Sequence, residues 1–336
     1  MKYYISHHYR NLTSAGNKAK TDMEAIMQSI GYRNAGLSRT VGGSGVKAFI
    51  RNLAGVLRAA AVVGRGDVLV LQYPLKKYFS FISRIATLKG ARVVALVHDL
   101  GSCRRKAISR RTELRRLGHA HTVIATNSVM ENYLRSIGLE TRLDALGVWD
   151  YLTDAVPATA PHTGVRIAYA GAINRRKNAF LYDWGNIIDG YDVDIYGDGF
   201  EIEQAAHPEC FKCHGYTPAD KLIATVSADY GLVWDGDSLD TCTGSFGEYL
   251  ALNTPHKVSL YICCGLPLIV WSKSAMAQFV IEHGIGITVD SLRQIPDKIS
   301  QMNPDGYAAM KLRVAEIGKK LASGHFMKQA LERATH

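Results

Sequence analysis

Short apolar runs and helix-period stretches alternate along this chain from end to end. In the first half, "KYYISHH" is followed by a polar loop and a helical pattern over Lys18 to Ile30, and "GDVLVLQYP" by another over Lys77 to Lys89. "ARVVALVHDL" precedes the arginine-rich "RRKAISRRTELRRLG", and "HTVIATN" precedes "SVMENYLRSIG", with Asn127 or Ser128 as the N-cap. "ETRLDALG" closes the half. In the second half "GVRIAYAGA", "YDVDIYGDG", "CFKCHGY", "DYGLVWDG", "LPLIVW" and "GITVD" read as strands. Helical patterns lie near Asn178 to Ile188, Pro218 to Ser227, Pro255 to Cys264 and Ser274 to His283. A long one runs from Pro304 to Thr335, with Lys and Arg late, where cations suit a helix dipole. The strand-type runs are continuous Val, Leu and Ile rather than strict alternation. Such strands are covered on both faces, which means parallel sheets. Between the halves, "TDAVPATAPHTG" has small residues, prolines and no period, the marks of a linker. The pattern predicts an α/β protein of two tandem doubly wound, Rossmann-like domains over 1–152 and 164–310, with a helical tail over 311–336.

Length agrees with that division, since 336 residues exceed one ordinary core. Hydrophobic residues make up 47% and charged residues 21%, the balance of a soluble globular chain. The longest apolar run, Val258 to Trp271, is broken by Gly265 and Pro267 and falls short of the roughly 20 residues a membrane span needs. Met1 leads into polar "KYYISHHYRN" without an apolar leader. The expectation is a cytoplasmic protein, peripheral on the inner face of a membrane where it meets one. A net charge of +10 favours anionic partners: nucleotides, an anionic membrane surface or nucleic acid. The arginine run after Asp99 is either a solvated helix face or a surface for anionic membrane or a phosphate-bearing acceptor. It has no interleaved aromatics, so nothing in it argues for nucleic acid. Six cysteines in a chain of this length read as free thiols. "CFKCHG" spells C-x-x-C-H, but no second ligand pair stands at a zinc spacing, so neither metal nor cofactor is expected. A homo-oligomer is left open.

In doubly wound sheets, ligands sit past the carboxyl ends of the strands. With two such domains the natural place is the cleft between them. Ser14, Gly16 and Asn17 follow the first strand and open a helix whose N-terminus can accept an anion. They do not spell G-x-G-x-x-G, which disfavours a dinucleotide site. Asp99 follows a buried strand and is either a general base or the cap of the next helix. In "AYAGAINRRKN", Gly171 allows close backbone approach, and Arg175, Arg176 and Lys177 offer a phosphate clamp. Asp235 and Asp237 in "LVWDGDS" can bind sugar hydroxyls or form an Asx turn. In "NTPHKVSLYICCG", Thr254 reads as the N-cap and Pro255 as the first helical residue, with His256 and Lys257 in the first turn. The helix dipole disfavours cations there, an arrangement that a diphosphate at the N-terminus would explain.

With the tandem pattern, the pieces "SAGNKAKTD", "VLQYP", "VHDLGSCR", "LGVWDYL", "YAGAINRRKNAFL", "HGYTPADKL", "YGLVWDG" and "NTPHKVSLYICCGLPLIV" carry a family resemblance. The chain resembles GT-B glycosyltransferases, and more narrowly bacterial β-1,6-galactofuranosyltransferase-like and glucosyltransferase enzymes of glycan assembly. The resemblance implies a GT-B fold and a donor such as UDP-galactofuranose, UDP-galactose or UDP-glucose, bound mainly by the second domain. It implies a glycan acceptor, free or lipid-linked, and no metal. Arg175 and Lys257 would hold the diphosphate, Tyr216 would lie near the base, and Asn253 and His256 would line the same pocket. Gly171 and Asp235 would also face the donor, the Ser14–Gly16 loop would approach it, and the tail would brace the first domain. Many GT-B enzymes hold the ribose with a glutamate three residues after the lysine, where this chain has Leu260; the partner of Glu248 in an E-x7-E pair would be His256. A UDP-sugar epimerase of the same fold and a non-catalytic nucleotide-sugar or glycan binder stay open as other readings.

Overall fold

The apolar runs fold into two all-parallel sheets of six strands each. The computed structural model describes residues 1–9, 15–42, 45–75, 78–104, 106–158 and 161–335. These residues divide into two units, 1–150 with the chain's last residues from 324, and 151–323.

The first unit contains, in chain order, β1 (Lys2–Tyr4), β2 (His8–Tyr9), α1 (Ala15–Ser29), β3 (Arg33–Asn34), β4 (Thr40–Val41), α2 (Gly45–Val62), β5 (Val68–Tyr73) and α3 (Tyr78–Leu88). It continues through β6 (Arg92–Val97), α4 (Gly101–Arg104), α5 (Arg110–Leu117), β7 (Thr122–Ala125), α6 (Ser128–Ser136) and β8 (Arg142–Ala145). Its sheet order is β3-β1-β5-β6-β7-β8, with β2 and β4 forming a separate parallel pair. Every residue of β5 is buried, as its unbroken apolar sequence requires. Helix α6 starts where the sequence marks it, with the Asn127 side chain accepting the Met130 N–H. Helix α2 is a different matter, because the apolar pattern does not predict it. Gly55, Val56 and Ala59 face inward while Val46, Ile50 and Leu57 face solvent, so no polar stripe marks its outer side.

The second unit contains β9 (Val165–Ala170), α7 (Arg175–Asn178), α8 (Phe180–Trp184), β10 (Tyr191–Tyr196), β11 (Phe211–Cys213), α9 (Ala219–Thr225) and β12 (Tyr230–Val233). It ends with α10 (Gly244–Gly247), α11 (His256–Cys263), β13 (Leu268–Trp271), α12 (Ala277–His283), β14 (Gly286–Val289), α13 (Ile295–Ser300) and α14 (Pro304–Ala322). The sheet order β11-β10-β9-β12-β13-β14 is that of the dinucleotide-binding Rossmann fold, reversing direction of construction between β9 and β12. The single helix expected near Asn178 to Ile188 is instead α7, α8 and a short 3₁₀ turn at Gly185–Ile187.

The expected helical tail is also two helices. Helix α14 packs on α11 in the second unit, and α15 (His325–Thr335) belongs to the first. Gly324, with φ +74°, separates them, and a Cβ there would meet Ile26 of α1 at 2.7 Å. Asp150 fixes the start of α15 by accepting the N–H groups of Phe326 (3.1 Å) and Met327 (2.6 Å). Met327, Ala330, Leu331 and Ala334 are buried, and Arg333 bonds Asp144 at the end of β8. Among the described residues, no helix is long and apolar enough to cross a membrane.

Candidate functional site

The second sheet reverses between β9 and β12, so the ends of those strands are where a ligand of this fold belongs. Beyond β12 lies Asp235, 5% exposed, and its Oδ1 is the centre of a polar cluster. The hydroxyl of Tyr169 on β9 lies 3.0 Å from it and 2.9 Å from the Trp234 carbonyl. Asn178 Nδ2 (3.3 Å), Lys257 Nζ (3.3 Å) and Lys177 Nζ (3.5 Å) converge on the same oxygen. One carboxylate among two ammonium groups leaves the cluster with an excess of positive charge.

Helix α11 is what places Lys257 there. Tyr261, four residues later and on the same face, packs against Gly231 of β12, where a Cβ would come within 2.3 Å of the ring. Its hydroxyl accepts the Ala170 N–H at 2.7 Å, at the end of β9. The helix is therefore pinned across the reversal point, with Lys257 at its beginning. The Lys257 side chain is 9% exposed and also lies 4.2 Å from the Tyr169 ring centroid. Burial pushes its ammonium down to about 8, against the pull of Asp235 upward.

Two expectations at this segment need correction. The helix begins one residue later than the sequence suggests: Pro255, not Thr254, occupies the N-cap, with extended backbone and no side-chain hydrogen bond of its own to the helix. Thr254, one residue ahead of the N-cap, is 3% exposed. Lys257 is also not a bare cation at a helix end, because Asp235 and Tyr169 hold it. His256 lies against the Tyr151 ring at 4.9 Å. Asn253 has a buried Oδ1 with no hydrogen-bond partner among the described residues, just ahead of the helix. Glu248 is exposed and Leu260 half-buried.

The other expected residues of this unit surround the cluster less tightly. Gly171 directly follows β9 with φ +138°, a conformation that only glycine adopts without strain. Arg175 opens α7, exposed. Its guanidinium lies 4.0 Å over the Tyr182 ring, hydrogen-bonds Gln204 and is 3.8 Å from Glu201. Tyr216 is 52% exposed, its N–H donating to Asp198 Oδ1 at 2.9 Å. Asp237 bonds the Thr243 hydroxyl in a surface turn. His214 of "CFKCHG" stacks on Tyr196 at 4.4 Å and bonds buried Asp194. Among the described residues, no group of three His, Cys, Asp or Glu could hold a metal ion.

In the first unit, Gly16 and Asn17 lie in the first turn of α1; Ser14 lies outside the described residues. A Cβ on Gly16 would meet nothing within 4 Å, so packing does not demand glycine there. Asp99 follows β6, half-buried, with Oδ2 2.5 Å from Arg104 Nη1. Buried Glu113 caps the start of α4, accepting the N–H groups of Gly101 (2.8 Å) and Ser102 (3.0 Å), and it also accepts the Tyr73 hydroxyl (3.0 Å).

Both halves of the chain match known protein families. Residues 2–147 match the family described as "Glucosyltransferase 3-like, N-terminal domain", and residues 167–334 match "Glucosyltransferase 3-like, C-terminal domain". The chain belongs to the glucosyltransferase 3-like family. It is 30% identical over 272 residues to the β-1,6-galactofuranosyltransferase WbbI of Escherichia coli K12, covering 79% of this chain and 78% of that one. It is 26% identical over 290 residues to glucosyltransferase 3 of Streptococcus gordonii, covering 84% and 82%. Among solved structures it is similar to OtsA, with a TM-score of 0.65 at 8% identity over 100% and 99% of the two chains. It is similar to Anabaena HepE in complex with UDP, with a TM-score of 0.62 at 13% identity over 99% of each. The fold is GT-B, and this family member is a glycosyltransferase.

Sequence reasoning finds Asp235 and Lys257 but not what joins them. Tyr169 and Asn178 carry no motif of their own. The available signal is position: Tyr169 precedes Gly171 at a strand end, and Asn178 lies four residues after the N-cap Asn174.

Proposed function

We propose that this glycosyltransferase moves a hexose from a UDP-sugar to a glycan acceptor, free or lipid-linked, in the cytoplasm. The observation that carries the donor reading is the excess positive charge of the Lys257–Asp235–Lys177 cluster at the strand reversal of the second sheet. A leaving diphosphate needs stabilisation where its charge develops, and fixed cations in a buried setting supply it without a metal. The first turn of α11 adds backbone N–H groups and the positive end of the helix dipole. Asp235 holds Lys257 in place before substrate arrives, so little reorganisation is required. Arg175 can leave Tyr182 and Gln204 to meet the donor, with Gly171 clearing the approach. Asn253 Oδ1, buried and unpaired among the described residues, is an acceptor available to the nucleoside. If the reaction inverts, Asp99 is the base we assign on the acceptor side, provided by the first unit. The E. coli relative is named for galactofuranose and the streptococcal one for glucose, so these are the donors to test first.

Titration of UDP against wild type and Lys257→Met tests the site. Losing a charged hydrogen-bond donor to phosphate should weaken binding by at least about tenfold. Circular dichroism of both proteins separates this from misfolding. Equal affinity in two folded proteins would sink the assignment.

A further inference from the structure

From residue 25 to residue 98 the chain carries eleven Lys and Arg and a single acidic residue, Asp67. That acid is already committed, with Oδ1 2.5 Å from the N-terminal ammonium. The same segment holds nine of the fourteen exposed large apolar side chains among the described residues, and the remaining five are scattered over the rest of the chain. Charge and exposed apolar surface are thus concentrated together.

Helix α2 shows how they are arranged. Val46, Ile50, Leu53 and Leu57 recur at steps of four, three and four, which is one face of a helix. Val46, Phe49, Ile50 and Leu57 are 43% to 69% exposed. The opposite face, with Gly55, Val56 and Ala59, is the one turned to the core. Lys47, Arg51 and Arg58 line one flank of the exposed stripe. Helix α3 packs beside α2, with Phe49 and Tyr78 rings 6.1 Å apart, and Lys89 Nζ donates to the Ala60 and Ala61 carbonyls at the end of α2. It shows Phe81 (41%) and Leu88 (87%) to solvent, a step of seven residues apart, with Arg84 between them. The positive field extends toward α5, since Arg84 and Arg115 both help hold the His119 imidazole below its ordinary range, after burial. The arginine run of α5 brings charge but exposes no large apolar side chain, so it is not the centre of this surface.

We propose that the outer face of α2 and α3 docks this enzyme on an anionic lipid bilayer, with the Phe49/Ile50/Leu57 stripe entering the headgroup region and the flanking Lys and Arg meeting lipid phosphate. The chemistry is that of an interfacial helix: apolar bulk on one side, cations beside it and no acidic residue on either helix. A second copy of the chain fits less well, because two such faces would bring like charges together. The inference stands apart from the donor assignment.

Sedimentation of the full chain with vesicles tests it. Wild type should pellet with phosphatidylcholine vesicles that contain phosphatidylglycerol, stay in solution with phosphatidylcholine alone, and be released by salt. Phe49→Ser/Ile50→Ser, and separately Leu57→Ser/Leu88→Ser, should bind the anionic vesicles at least about tenfold more weakly. Their melting temperatures and UDP-induced thermal shifts should match wild type, because these side chains are exposed and outside the donor site. The proposal is overturned if wild type ignores anionic vesicles, if it binds neutral ones equally, or if both double variants bind like wild type. It is equally overturned if wild type ignores vesicles and self-associates while the variants are monomeric, which would make the face a contact between copies.

Discussion

Lys257 is a buried cation whose charge is conditional. Its ammonium titrates near 8 in the free protein, lowered by burial. Above that value the neutral amine dominates and its attraction for phosphate is lost, so the sign is fixed: UDP affinity should fall as pH rises through 8 to 9. The fall should approach about tenfold per unit at most, and Lys257→Met should show a flat profile there. Calorimetric titration of UDP at pH 7, 8 and 9 checks both. A wild-type profile as flat as the variant's would remove Lys257 from the donor site. The sequence shows that Lys257 sits in the first helical turn, since Pro255 marks the start. It does not show Asp235 as the partner, because the two are 22 residues apart and meet only when β12 and α11 pack. Nor does it show that Pro255 rather than Thr254 is the N-cap, since a hydroxyl directly before a proline satisfies the capping rule.

At the level of elements, legibility follows burial geometry. Fully covered strands such as β5, β6 and β12 announce themselves as unbroken apolar runs. Helix α2 stays hidden because both of its sides are apolar, one turned to the core and the other exposed. Helix α15 is visible, but its starting point is set by a residue far away in the chain, Asp150. Burial pushes that carboxyl up to about 7, with Asp22 adding to the rise, while the two backbone N–H groups and Lys328 pull it down. In the unfolded chain the same group titrates near 4, roughly the value for a free aspartate. Its contribution to stability is therefore fully present below about 4 and lost as pH rises through 7. Asp150→Asn keeps an acceptor oxygen and removes the titration. The wild-type melting temperature minus that of Asp150→Asn should fall steadily between pH 4 and pH 8. A constant difference would show that the carboxylate is ionised throughout and that its N–H bonds outweigh its burial.

At the scale of the whole chain, the order of residues does not match the order of folding units. The first unit is completed by the last residues of the sequence, after the second unit has been traversed. Periodicity marks Pro304 to Thr335 as helical throughout, but a glycine-centred break that hands the chain from one unit to the other leaves only Ser323–Gly324 as its trace. The consequence is a dependence that sequence distance conceals. Removing the residues after Ser323 deletes buried Met327 and Leu331, opens the surface of α1 beside Ile26, and cuts the Arg333–Asp144 pair. Burying each large apolar side chain is worth about 1.5–3 kcal/mol, so the loss to the first unit is several kcal/mol, a large part of an ordinary domain's stability. The second unit keeps its sheet, α11, α14 and the Lys257 cluster. Calorimetry of the truncated chain should show a transition at markedly lower temperature that UDP does not shift, and a second that UDP still raises. Limited proteolysis should cut first within residues 1–150. If the truncated chain melts as the full chain does, α15 adds little to the first unit; if UDP stabilisation disappears with it, the donor site depends on more than the second unit.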